Sequence, residues 1–207
     1  DRMSEAHARL DAEALRRATD EAVDVARGLG DSVVVVGLCV GGTMAAWAAQ
    51  ERADVARAVV IAPLQGLARA RGPLTPPAAR LLLAIPNVFV WWDGKAKQDL
   101  AGPKHVYPRF STRSVAQTLV LAAAVEAGAR RARPAAGSIS VVTVGSDAAV
   151  DNGAVARLVR AWRRQGARVT THHFPAALGL NHDIVDPGQV GGNPALVYPV
   201  LLDLIAP

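Results

Sequence analysis

The chain has 207 residues, of which 51% are apolar and 20% charged, and this excludes a disordered or low-complexity polypeptide in favour of one sizeable core. No apolar run reaches the length of a membrane span, and the single cysteine excludes an internal disulfide, which fits a soluble protein of a reducing cytoplasm. The net charge of +5 comes almost entirely from arginines scattered among acidic residues; without an aromatic-interleaved basic stripe, nucleic acid is not an expected partner.

Asp11 is placed to cap a helix from Ala12 to about Arg27, with Leu15, Ala18, Ala22, Val25, Ala26 and Leu29 at helical spacing and Gly28 and Gly30 as stop signals. A β-branched strand, Val33 to Val36, follows, then a tight turn and an Ala-rich helix from about Gly42 to Gln50. Ala58 to Ala62 is a second buried strand, ended by Pro63. Helix, strand, helix, strand is the order of a parallel sheet with right-handed crossovers. Residues 64–136 interrupt it with Pro73, Pro76, Pro77, Pro86, Pro103 and Pro108, a short helix from Pro77 to Ile85, an aromatic patch at Val88 to Trp92, and a longer helix capped by Ser111 or Thr112 that runs to about Arg131. This segment is expected to be a lid inserted in a core made of 1–63 and 137–207. The alternation then resumes: strand Ile139 to Val144, helix Asn152 to Gln165, strand Arg168 to Phe174, and a terminal helix from Ala195 to Ile205.

The most informative stretch is Val33-Val-Val-Val-Gly-Leu-Cys-Val-Gly-Gly42. Gly37-x-Cys39-x-Gly41 between strand and helix reads as a nucleophile elbow with cysteine as the nucleophile. Such a turn is so tight that its flanking positions must be nearly free of side chain. It lifts the central side chain above the sheet and aims N–H groups of the helix N-terminus at a forming oxyanion. A cysteine nucleophile needs a base, and the base needs an orienting acid. Asp147 follows one strand and His182 follows the last, so the chain order is nucleophile, acid, histidine. Asp151 is the alternative acid, although it is better placed to cap the next helix. His172 and His173 point to opposite faces of a strand, and no further metal ligands accompany them. No cofactor is implied: the turn lacks Gly-x-Gly-x-x-Gly spacing, and no Gly-Lys-Ser/Thr occurs.

On Gly37-Leu-Cys-Val-Gly-Gly-Thr43, Val60-Ile-Ala-Pro63, Tyr107-Pro-Arg-Phe110 and Asn181-His-Asp-Ile184, the chain from Leu10 onward resembles the α/β-hydrolase superfamily, in its branch of bacterial carboxylesterases and monoacylglycerol lipases. The resemblance implies an α/β-hydrolase fold, a mostly parallel sheet with flanking helices and a lid. It also implies a nucleophile at Cys39, an acid at Asp147, a base at His182 and an oxyanion donor at the N–H of Val40. Those esterases carry serine at the elbow; the cysteine resembles dienelactone hydrolases and polyhydroxyalkanoate synthases, and a serine-to-cysteine exchange made in an esterase would leave the same sequence. The family also has strands, and a second oxyanion donor, ahead of the first helix seen here, so an N-terminal part of the fold is expected to be missing. The expected activity is hydrolysis of a small ester or thioester with a hydrophobic acyl group held near Trp91 and Trp92. The alternatives are an acyltransferase or cyclase using the same acyl-cysteine, and a non-catalytic binding module on the same fold.

Overall fold

A computed structural model describes residues 3–69 and 75–206, so Pro73 lies outside the described residues. The first helix, α1 (Ala12–Arg27), starts where the Asp11 side chain accepts a hydrogen bond from the Ala14 N–H. It buries a different face from the expected one: Ala12, Leu15, Thr19 and Val23 point inward. Ala18 and Ala22 are exposed, and Val25 and Leu29 remain 64% and 83% exposed. The reason lies in Thr19. Its hydroxyl donates to the Leu15 carbonyl at 2.7 Å, so the residue is satisfied within its own helix and packs as an apolar one.

The chain continues through β1 (Val33–Leu38), α2 (Val40–Glu51) and β2 (Val55–Ile61). Between α2 and β2, the Arg52 guanidinium binds Asp20 and Asp24 of α1 together with Asp54, and pins α1 to the sheet. Then come α3 (Thr75–Ala84), β3 (Phe89–Trp91), β4 (Arg109–Ser111) and α4 (Thr112–Arg131). Ser111 is the cap of α4, accepting from the Ser114 N–H at 3.2 Å. The final elements are β5 (Ser138–Val144), α5 (Asn152–Arg164), β6 (Val169–Phe174) and α6 (Pro194–Ile205).

The main sheet has four parallel strands in the order β1-β2-β5-β6. Leu38 pairs with Ile61, Ile61 with Val142, and Val144 with Phe174, so the carboxyl ends of the strands lie side by side. Alternate residues face opposite layers. Val60 and Val141 enter a core with Ala45, Ala49, Val125, Leu158 and Trp162 of α2, α4 and α5. Val59 and Val142 enter another with Val197 and Leu201 of α6. The buried Trp162 indole donates to Gln50 Oε1 at 2.9 Å and joins α5 to α2. Among the described residues β1 is bonded to β2 alone, leaving Val34 and Val36 exposed along that edge.

The aromatic patch is a strand. β3 pairs antiparallel with β4 as Phe89–Ser111, Val90–Phe110 and Trp91–Arg109, forming a second, separate sheet. No described helix is long and apolar enough to cross a membrane.

Candidate active site

Cys39 occupies the single-residue turn between β1 and α2, at φ 57° and ψ −114°. An L-residue reaches that region only under constraint. Three backbone bonds impose it. The Cys39 N–H donates to the Ile61 carbonyl at 3.1 Å, and the Cys39 carbonyl accepts from the N–H groups of Thr43 at 3.0 Å and Leu64 at 3.2 Å. A Cβ on Gly37 would stand 2.0 Å from the Gly41 carbonyl oxygen, and one on Gly42 would stand 2.6 Å from that of Ile61. A Cβ on Gly41 would meet nothing within 4 Å. The steric demand of the turn therefore falls on Gly37 and Gly42, not on the second glycine of the expected Gly-x-Cys-x-Gly spacing. Val40 opens α2, and its N–H is among those with no acceptor inside the helix.

Asp147 lies in the loop after β5 with its side chain wholly buried. Oδ1 accepts from the N–H groups of Ala149 at 2.8 Å and Val150 at 3.1 Å. Oδ2 lies 2.6 Å from His182 Nδ1. Asp151 is used differently. It caps α5, accepting from the Gly153 N–H at 2.9 Å, and lies 3.7 Å from Arg157. His182 stands in the loop after β6. Asn181 Oδ1 accepts its N–H at 2.7 Å, and Ser146 Oγ donates to the Leu180 carbonyl at 2.6 Å, tying the histidine loop to the aspartate loop. Sequence reasoning does not single out Ser146; its only signal is adjacency to the acid.

His182 Nε2 is buried and has no hydrogen-bond partner of ordinary geometry. Burial alone would lower the His182 pKa, but the bond to Asp147 and the neighbouring Cys39 side chain outweigh it and raise the pKa to about 10. Burial would likewise raise the Asp147 pKa, and the bond to His182 reverses this, leaving it below the ordinary carboxylate value. The fold thus brings Cys39, His182 and Asp147 together from three loops at the carboxyl edge of the sheet.

A cavity of about 420 Å³ begins at Val40 and runs between Leu15, Trp92, Tyr107 and Phe110. Ser114 and Thr118 also line it with hydroxyls that donate to the carbonyls of Ser111 at 2.9 Å and Ser114 at 2.8 Å, and His7 and Arg109 are the polar groups in an otherwise largely apolar wall. Trp92 packs against Phe110 with ring centroids 4.5 Å apart. Trp91 is not among the lining residues; the Arg109 guanidinium lies 5.8 Å from its ring. His172 packs on Phe174, and His173 Nδ1 lies 2.9 Å from Thr143 Oγ1. Among the described residues no three His, Cys, Asp or Glu side chains are grouped to hold a metal ion.

No protein-family model and no curated protein matches the sequence. Solved structures do match the fold. A monoacylglycerol lipase from Paleococcus ferrophilus superposes with a TM-score of 0.63 at 14% identity, over 95% of this chain and 76% of that one. A soluble variant of monoglyceride lipase from Saccharomyces cerevisiae, in complex with a substrate analogue, gives 0.65 at 14% identity, over 93% and 66%. The α/β hydrolase GrgF from Penicillium sp. gives 0.58 at 16% identity, over 95% and 72%. Parallel strand order, a strained turn at the first strand and matching architecture along nearly the whole chain agree: the protein has the α/β-hydrolase fold.

Proposed function

We propose that the chain is an acyl hydrolase that opens a carboxylic ester or thioester through an acyl-cysteine at Cys39. The observation that carries this reading is a strained Cys39 whose side chain lies against a histidine fixed through Nδ1 by Asp147, close enough to help raise the histidine pKa.

His182 Nε2 takes the Cys39 thiol proton, the thiolate forms the S–C bond, and the carbonyl π electrons move to oxygen, where the Val40 N–H donates. As the C–O bond breaks, the leaving alkoxide takes the proton from His182 Nε2. The raised His182 pKa suits this step, because it keeps the proton on the ring until the alkoxide forms. Acylation then removes the Cys39 contribution to that raised pKa, so the imidazole becomes a competent base and activates water for deacylation. Asp147 holds the ring in the required tautomer throughout. The largely apolar cavity beside Val40 fits a hydrophobic acyl group, with Trp92 in its wall. Residues 64–136 act as the lid, with α4 rooted in the core.

A second reading rests on the thiol itself. An acyl-thioester passes its acyl group readily to an alcohol or amine, so transfer or lactone formation follows the same first step. The test is incubation with p-nitrophenyl esters of graded chain length, following p-nitrophenol release and intact mass together. A burst matched by an acyl-mass adduct, both lost in Cys39→Ala, is the expected result. Faster product formation with added glycerol or an amine favours transfer. No burst and no adduct at any chain length would overturn catalysis and leave a binding module.

A further inference from the structure

The cavity that begins at Val40 is lined elsewhere by Arg109 of β4 and by His7 of the short 3₁₀ helix Ala6–Arg9. The hydroxyls of Ser114 and Thr118 in the same wall are already bonded to backbone carbonyls. Arg109 and His7 are not so settled. His7 packs edge-on against Phe89 with ring centroids 5.2 Å apart, and neither of its ring nitrogens has a hydrogen-bond partner. The Arg109 guanidinium lies over the same Phe89 ring, with Cζ 4.3 Å from the centroid. Its Nη2 donates to the Met3 carbonyl at 2.8 Å, while Nε is buried with no partner. Glu5 faces it at 3.6 Å, but Glu5 is 73% exposed where Arg109 is 16% exposed, so water screens the pair. A guanidinium held against an aromatic ring in the wall of an apolar cavity thus keeps much of its charge unmatched. An imidazole with two open nitrogens stands on that same ring. Folding normally satisfies such groups.

We propose that Arg109 and His7 bind a carboxylate at the far end of the acyl chain, so that the preferred substrate is a half-ester or half-thioester of an α,ω-dicarboxylic acid. This rests on the acyl-cysteine reading above and names its substrate class. The reacting carbonyl sits at Cys39 beside Val40, the methylene chain lies along the apolar wall, and the terminal carboxylate accepts from the guanidinium and from a His7 ring N–H. That carboxylate takes no part in bond making: the S–C bond forms at Cys39, the alcohol or thiol leaves, and the charged end stays as it entered. A neutral end group would leave the guanidinium charge unmatched, whereas a carboxylate matches its charge and its planar fork.

The test sets p-nitrophenyl half-esters of dicarboxylic acids against their methyl-capped diesters, at graded chain length, on the full chain. The readout is the ratio of the two kcat/KM values, after subtraction of the rate without protein. A wall offering only apolar contacts would reject the charged end by about 100-fold or more. The expected result is that at one chain length the half-ester reacts about 10-fold faster than its capped partner. In Arg109→Met the ratio should fall about 100-fold; in Arg109→Lys, which keeps the charge and loses the fork, about 10-fold. His7→Phe, which keeps an aromatic ring against Phe89, should lower it about fivefold. The ratio cancels any loss common to both esters. A preference for the capped ester at every length in the parent overturns the proposal, as does an unchanged ratio in Arg109→Met. If Arg109→Met does not fold, His7→Phe decides, and an unchanged ratio there overturns the proposal equally. A parent chain that iodoacetamide alkylates at Cys39 but that neither ester series acylates would sink the acyl-cysteine reading itself, and this inference with it.

Discussion

At the scale of single residues, the strain at Cys39 depends on how closely β1 and α2 approach, and the two glycines that permit it are not equivalent to a third beside them. Gly37→Ala would drive a Cβ into the backbone of α2, and neither backbone has room to retreat. It should cost roughly 3 kcal/mol or more in urea unfolding. Gly41→Ala meets open space inside a helix and should be neutral or stabilising by up to about 1 kcal/mol. The His182–Asp147 pair makes a prediction in pH. A raised histidine pKa contributes stability that is complete below about 6.5 and is lost as pH rises through about 10. A lowered aspartate pKa contributes stability present above about 4 and lost as pH falls below it. Breaking this buried pair by Asp147→Asn should therefore cost most, about 3 kcal/mol, near pH 5 to 6, and progressively less towards pH 10. Thermal unfolding of both proteins across that range checks it; a constant difference would contradict the assigned pair.

At the scale of elements, the cavity runs from Val40 at the start of α2 to walls made by Leu15 of α1, Ser114 and Thr118 of α4, and Arg109 and Phe110 of β4 with the segment ahead of it, so its far end is set by how these pack. Thr118 of α4 is buried in that wall. Thr118→Leu should shorten the preferred acyl chain by one or two methylenes, with kcat/KM for longer esters falling about threefold per excluded CH₂, while short esters react as before. The chain-length profile reads this directly. The same elements separate what is legible in the sequence from what is not. The four parallel strands stand out as β-branched runs bounded by glycine or proline, and chain order alone places Cys39, Asp147 and His182 at the same edge of the sheet. β3 and β4 are hidden because each spans only three residues, too few to carry an alternation, and their pairing bridges a long loop. The buried face of α1 departs from the apolar periodicity because it runs through Thr19, whose polarity vanishes only after its hydroxyl has bonded within the helix. Ser146 is invisible for a related reason: nothing in its local sequence says that it finds a partner 34 residues away.

At the scale of the whole molecule, the sheet is assembled from two local halves. β1-α2-β2 forms one, with Cys39, and β5-α5-β6 the other, with Asp147 and His182. They join where β2 pairs with β5, and the core around Val60, Val141 and Trp162 spans the join. The connection between them loops out through β3 and β4, and the stretch between those strands is largely exposed, including Trp92 at 53%. A protease cut there would sever the backbone without removing a strand from the main sheet. The expected products are two fragments that co-elute under native conditions and separate in denaturant. Neither alone would alkylate quickly, since the thiol and its imidazole would be on different chains. Mixed after refolding, they should regain a His182-dependent rate. The Cys39 and His182 chemistry would then belong to no single polypeptide, and the nicked protein would behave as a reconstitutable pair whose activity titrates with the concentration of its halves.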